Sequence, residues 1–281
     1  MNGGSINMKR NELVRAVCVG LTVCAFAGMA MASGSSSSSK TKETGSVTIA
    51  DKNGEDKSTE TTTEATTTAA PKVEYEITHT LFTHYTNSIG MEEYCGVVEI
   101  KNTGTSYLYL ADCNFDFEDD DGHLLGTDKL VTSVPDVIAP GEFGYFCRNG
   151  YIDSNTSLEN GVNLVPNFTV KLCSKGADAV IDYEVTDLDI KEGDLGLGVK
   201  VTGRVLNNTT EDTNSLDVQI IVVFYDSDGE ILDVAVNYAD EMSAGGKASF
   251  EISTLAGNEE ATIDTIADYK VIARHSYMQF G

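Results

Sequence analysis

The sequence predicts an all-β chain of two tandem antiparallel β-sandwich domains, and three observations carry that expectation. First, the folded part is written twice. Val73-Glu74-Tyr75-Glu76-Ile77-Thr78 returns as Ile181-Asp182-Tyr183-Glu184-Val185-Thr186, and the stretch from Phe115 to Gly122 returns as Val222 to Gly229, both at an offset of about 107 residues. Second, apolar residues alternate with period two, as on a strand buried on one face. Third, turn signals recur between these runs: Asn102-Thr103-Gly104, Asp121-Gly122, Pro140-Gly141, Asn207-Asn208, Asp228-Gly229 and Gly245-Gly246. After the N-terminal region no helical stripe with caps is found.

The elements follow in chain order. Residues 1–32 read as a secretory signal peptide: Lys9, Arg10 and Arg15 are basic, Ala16 to Ala27 is an apolar run, and Ala30-Met31-Ala32 is a cleavage site. The run is too short for a bilayer, which needs about 20 residues. Leu21-Thr22-Val23-Cys24 also resembles a bacterial lipobox, which makes lipidation at Cys24 the alternative to cleavage after Ala32. Residues 33–71 are rich in Ser, Thr, Glu and Lys, with too little apolar surface to offset the entropy of folding. They predict a disordered linker with a reach of about 35 Å. It is a stalk if the N-terminus is anchored and a loose tail if it is cleaved.

Domain one spans 72–176 and domain two 177–281, each predicted to hold about seven strands. The join at Ser174-Lys175-Gly176-Ala177 is short and predicts limited bending. In domain one, Tyr107, Tyr109, Ala111, Cys113, Phe115 and Phe117 share one face by strict alternation. In domain two, Val218, Ile220, Val222 and Phe224 alternate with Gln219, Ile221, Val223 and Tyr225. Both faces of that strand are largely apolar, which places it centrally.

These residues resemble the FxLYD-type domains of exported Gram-positive bacterial proteins. The resemblance rests on Phe115-Asp116-Phe117-Glu118-Asp119 with Asp121-Gly122, and on Val222-Val223-Phe224-Tyr225-Asp226 with Asp228-Gly229. Asn102 and Asn207 upstream and Phe146 and Phe250 downstream complete it, over most of residues 72–281. Neither copy has the family's Leu, and the first lacks its Tyr. The resemblance implies an immunoglobulin-like sandwich and an envelope or extracellular setting, and it supplies no catalytic residues.

The formal charge of −25 repels nucleic acid and anionic lipid, so neither is an expected partner. Contact with membrane is expected only through an N-terminal anchor. The acidic turns offer cation candidates in Asp119, Asp121, Asp226 and Asp228. An EF-hand loop needs an acid five residues before its Gly, and Phe117 and Phe224 stand there instead. Asp-Gly is also the favoured pair for a tight hairpin turn.

Four cysteines follow the signal, all in domain one: Cys95, Cys113, Cys147 and Cys173. An even count in an exported chain suggests disulfides of open connectivity, and free thiols suit an anaerobic setting. Parity places Cys113 inward and Cys95 and Cys173 outward near strand ends. His79 and His84 fall on opposite faces of one strand, which argues against a shared metal. No nucleophile elbow, phosphate loop or His-Glu-x-x-His is present, and no cofactor is expected. Tyr151, Tyr238 and Tyr277 could stack a sugar, and Asn149 to Pro166 reads as a long loop where function tends to sit. The expected function is a non-enzymatic, exported cell-surface or secreted module that binds an unknown protein or glycan at the envelope, or acts as a spacer. The alternatives are an envelope enzyme or enzyme accessory using a cysteine of domain one, and a calcium-stabilised adhesin.

Overall fold

A computed structural model describes residues 71–87, 89–152, 158–194, 198–254, 258 and 260–277. The signal peptide, Cys24 and the linker up to residue 70 lie outside the described residues. The chain is all-β and antiparallel, with a 3-10 turn at Gly176–Ala179.

Repeat one contributes β1 (Tyr75–Thr86), β2 (Glu92–Asn102), β3 (Leu108–Glu118), β4 (Leu124–Asp128), β5 (Thr132–Val134), β6 (Val137–Ile138), β7 (Phe143–Tyr151) and β8 (Asn163–Leu172). Repeat two contributes β9 (Glu184–Glu192), β10 (Val199–Leu206), β11 (Val218–Tyr225), β12 (Ile231–Tyr238), β13 (Lys247–Ser253) and β14 (Asp268–His275). About seven strands were expected in each. Among the described residues repeat one instead has eight, because the segment between β4 and β7 pairs as two short extra strands, and repeat two has six.

Each repeat is two sheets. Sheet I has the order β1-β2-β7-β5. In sheet II, β8 lies along one side of β3, with β4 and β6 in turn along the other. Sheet III is β12-β11-β14 and sheet IV is β13-β10-β9. The registers are equivalent: Val98 faces Phe146 as Gly203 faces Phe250, and Asn114 faces Asn167 as Ile221 faces Ile272.

The core of repeat one lies between sheets I and II, where Tyr94, Val98, Ile100 and Phe146 meet Leu108, Leu110, Phe115 and Phe117. The strict alternation expected along β3 fails here. A register shift between Leu110 and Cys113 reverses the parity, so Leu108 and Leu110 share the core with Cys113, Phe115 and Phe117. Tyr107 and Tyr109 turn away and join a small cluster with Val137, Cys173, Ala179 and Tyr277 at the join. The core of repeat two lies between sheets III and IV, with Val218, Ile220, Val222 and Phe224 against Val201, Val205, Phe250 and Ile252.

A third apolar cluster lies between the repeats. Cys95, Val97, Val134, Tyr145 and Cys147 on the outer face of sheet I pack against Ile221, Val223, Ile231 and Val234 on the outer face of sheet III. The sheets therefore stack in the order II, I, III, IV. Any bend at the join must break this third cluster, so the limited bending expected from linker length alone meets a shared core. It also explains the two apolar faces of β11, since one faces the repeat's own core and the other faces repeat one.

The equivalent outer faces at the two ends of the stack are polar. Lys200, Thr202 and Arg204 of sheet IV stand where sheet I has Cys95, Val97 and Glu99. Asn114, Asp116 and Glu118 of sheet II stand where sheet III has Ile221, Val223 and Tyr225.

Candidate functional site

The acidic turns have the same construction in both repeats. Asp119 Oδ1 accepts the backbone N–H of Asp121 at 3.0 Å and of His123 at 2.8 Å. Asp226 Oδ1 accepts the N–H of Asp228 at 2.8 Å and of Glu230 at 2.9 Å. Gly122 and Gly229 both adopt a φ of 81°, a conformation that costs glycine nothing. The Asp of each turn is thus an internal acceptor that closes the hairpin. Hydrogen bonds, led by the His123 N–H, hold the Asp119 carboxyl below its ordinary value. His123 Nδ1 lies 3.0 Å from Asp119 Oδ2, and Asp119, Asp121 and His123 can each bring one ligand atom within 4.8 Å of the others. Backbone donors already occupy the first of these three.

The acidic turn of repeat one meets the long loop of the same repeat. Asp120 N–H donates to Asn160 O at 3.1 Å, and Asn163 Nδ2 donates to Asp120 Oδ1 at 3.1 Å. The loop is shorter than the sequence suggests. β7 continues to Tyr151 and β8 begins at Asn163, and residues 153–157 lie outside the described residues.

All four described cysteines are free thiols. Cys95 was expected to point outward, and it does leave its own repeat's core, but repeat two covers it completely. Its thiol donates to Asp233 Oδ1 at 3.5 Å, and Asn149 Nδ2 reaches the same oxygen at 3.5 Å. Cys173, also expected outward, is buried in the cluster at the join. Cys147 faces Val97 on the covered face of sheet I, diagonal to Cys95. Burial, reinforced by Asp233, pushes both the Cys95 and Cys147 thiols up. Cys113 packs on the core of repeat one, where burial pushes it up to about 12. A protonated thiol is a weak nucleophile.

The histidines are dispersed. His79 Nδ1 lies 3.1 Å from Glu230 Oε2 across the two repeats, while His84 sits on the other face of β1, stacked on Phe82. Tyr183 and His275 are bonded at 3.1 Å. The three tyrosines do not converge: Tyr277 packs edge-on to Tyr109 under Lys175 at the join, and Tyr151 is exposed at the end of β7.

No sequence motif marks the polar contacts that fasten the two repeats. Arg274 on β14 is 5% exposed. Its Nε lies 2.6 Å from Asp182 Oδ1 within repeat two. Its Nη1 lies 2.7 Å from Glu142 Oε2 and 3.2 Å from Val137 O, both in repeat one. Gln219 Nε2 donates to Asp136 Oδ1 at 2.9 Å, and Ser276 Oγ donates to Asp136 Oδ2 at 2.9 Å. The available signal was polar residues interrupting apolar strands, as Gln219 does on β11 and Arg274 on β14. On the outer face of sheet IV a shallow groove is lined by Asp187, Thr202, Arg204, Ser249 and Glu251. Its charges are paired among themselves, Arg204 with Asp187 at 3.4 Å and Lys200 with Glu251 at 2.8 Å. The chain matches no protein-family model and no curated protein.

Proposed function

We propose that this chain is an exported, non-catalytic module of the bacterial envelope or its surroundings, in which two FxLYD-like repeats act together as a stiff binding or spacer unit on a flexible N-terminal stalk. The observation that carries the reading is the use made of its reactive side chains. Cys95 and Cys147 are sealed as thiols between the repeats, and Asp119 and Asp226 are engaged in closing turns. Two of the thiols a cysteine enzyme would use, and one oxygen of each turn aspartate a calcium adhesin would use, are therefore engaged in structure. The basic and apolar N-terminus, the polar linker and the strongly acidic surface support export.

Intact-mass spectrometry of the protein from a Gram-positive host, on separated cytoplasm, envelope and medium, tests the proposal. A mass beginning at Ser33 in the medium, or at a diacylated Cys24 in the envelope, is expected. An unprocessed chain confined to the cytoplasm would overturn the reading.

A further inference from the structure

The joint between the repeats is apolar in its middle and charged at one end. There, Arg274 is held by Asp182 from its own repeat and by Glu142 from the other. Glu142 sits in the turn between β6 and β7, and its Oε2 also accepts the Ala139 N–H at 3.1 Å. It is 40% exposed, so a proton from solvent can reach it, whereas Arg274 is sealed. Lys270 on the same strand as Arg274 adds positive charge near Glu142, and Asp182 and Asp136 flank the pair from the two repeats. Neither Glu142 nor Arg274 belongs to the core of either sandwich. Protonating Glu142 takes one of two carboxylates from a buried guanidinium, which is costly, while each sandwich keeps its own core.

We propose that Glu142 is an acid-sensitive latch: its protonation releases the Arg274 contact, and the joint between sheets I and III opens while both sandwiches stay folded. The hydrogen bond from Arg274 holds the Glu142 carboxyl below its usual range. The latch therefore stays closed above the ordinary carboxylate value and lets go as pH falls through the lowered one.

The cysteines provide the readout. Cys95 and Cys147 lie buried inside the joint, and Cys113 packs, half-buried, on the separate core of repeat one. The full chain is exposed to an aromatic disulfide that labels thiols in acid, and the labelled residues are mapped by mass spectrometry. Between about pH 6 and pH 3, labelling of Cys95 and Cys147 is expected to accelerate roughly tenfold or more, while the rate at the half-buried Cys113 changes little. The Glu142→Gln variant is expected to label Cys95 and Cys147 rapidly at neutral pH, with a flat profile. Three results would each overturn the proposal: Cys113 labelled in step with Cys95, which means global unfolding; Cys95 labelling indifferent to pH in the wild type; or a Glu142→Gln profile like that of the wild type. The first two need no variant, so a Glu142→Gln chain that fails to fold still leaves the latch open to refutation.

Discussion

Asn102 and Asn207 close the same turn in the two repeats. Both are fully buried at the end of an equivalent strand. Asn102 Nδ2 donates to Ser106 O at 2.8 Å and to Ile138 O at 3.2 Å, and its Oδ1 accepts the Gly104 N–H at 3.1 Å. Asn207 Nδ2 donates to Glu211 O at 2.8 Å and to Ser243 O at 3.2 Å, and its Oδ1 accepts the Thr209 N–H at 3.1 Å. Truncation removes the same two hydrogen bonds to backbone carbonyls, and the cap on the turn, in either repeat. Asn102→Ala and Asn207→Ala are each expected to cost about 1–3 kcal/mol in urea unfolding. The Asp variants should cost more, because they place an acceptor against carbonyl oxygens.

The shared cluster predicts large effects at residues that face away from their own repeat's core. Ile221→Ala should destabilise the whole unit by about 2–5 kcal/mol, as in an ordinary core. Thr202→Ala, at the position in sheet IV equivalent to Val97, should stay within about 0.5 kcal/mol. Chemical denaturation of both variants checks the contrast, and equal effects would mean that the joint contributes little.

Close packing constrains Gly144, as it does Gly203. An added Cβ would stand 2.7 Å from Leu110 Cδ1 and 2.9 Å from Ile138 Cγ2. Gly144→Ala should therefore cost about 1–3 kcal/mol by overpacking. At Gly126 nothing lies within 4 Å of that position, and the same change there should be neutral or stabilising by thermal melting.

The turn aspartate carries a pH signature. Because hydrogen bonds lower the Asp119 carboxyl in the folded state, its contribution is complete above the ordinary aspartate value of about 4 and fades as pH falls through the lowered one. Asp119→Asn keeps an acceptor oxygen and loses that titration. Melting curves from neutral to acid pH should therefore lie closer together at low pH than at neutral pH. Millimolar calcium is expected to leave the wild-type midpoint unchanged, since backbone donors already occupy Asp119 Oδ1.

The repeat, its strands and its turns were legible because they rest on local rules: period-two alternation, Asp-Gly hairpins and buried asparagines. The failures came where a residue's environment is set from a distance. On β3 the register shift after Leu110 reversed every earlier side chain, and no composition signal marks Ala111 or Asp112 as extra residues. Cys95 and Cys173 were assigned to the surface because alternation reports which way a side chain points and not what covers it. The second apolar face of β11 was in plain view, yet its counterpart in Val97, Tyr145 and Cys147 is recognised as an interface only once the two sheets face each other.

The joint brings together unlike faces, sheet I of one repeat and sheet III of the next, and an association of that kind has no inherent end. Here it stops after one step. Lys200, Thr202 and Arg204 close one side of the stack, and Asn114, Asp116 and Glu118 close the other. The molecule thus behaves like a polymerising unit whose single linkage has been spent internally and whose two growing ends have been capped by charge.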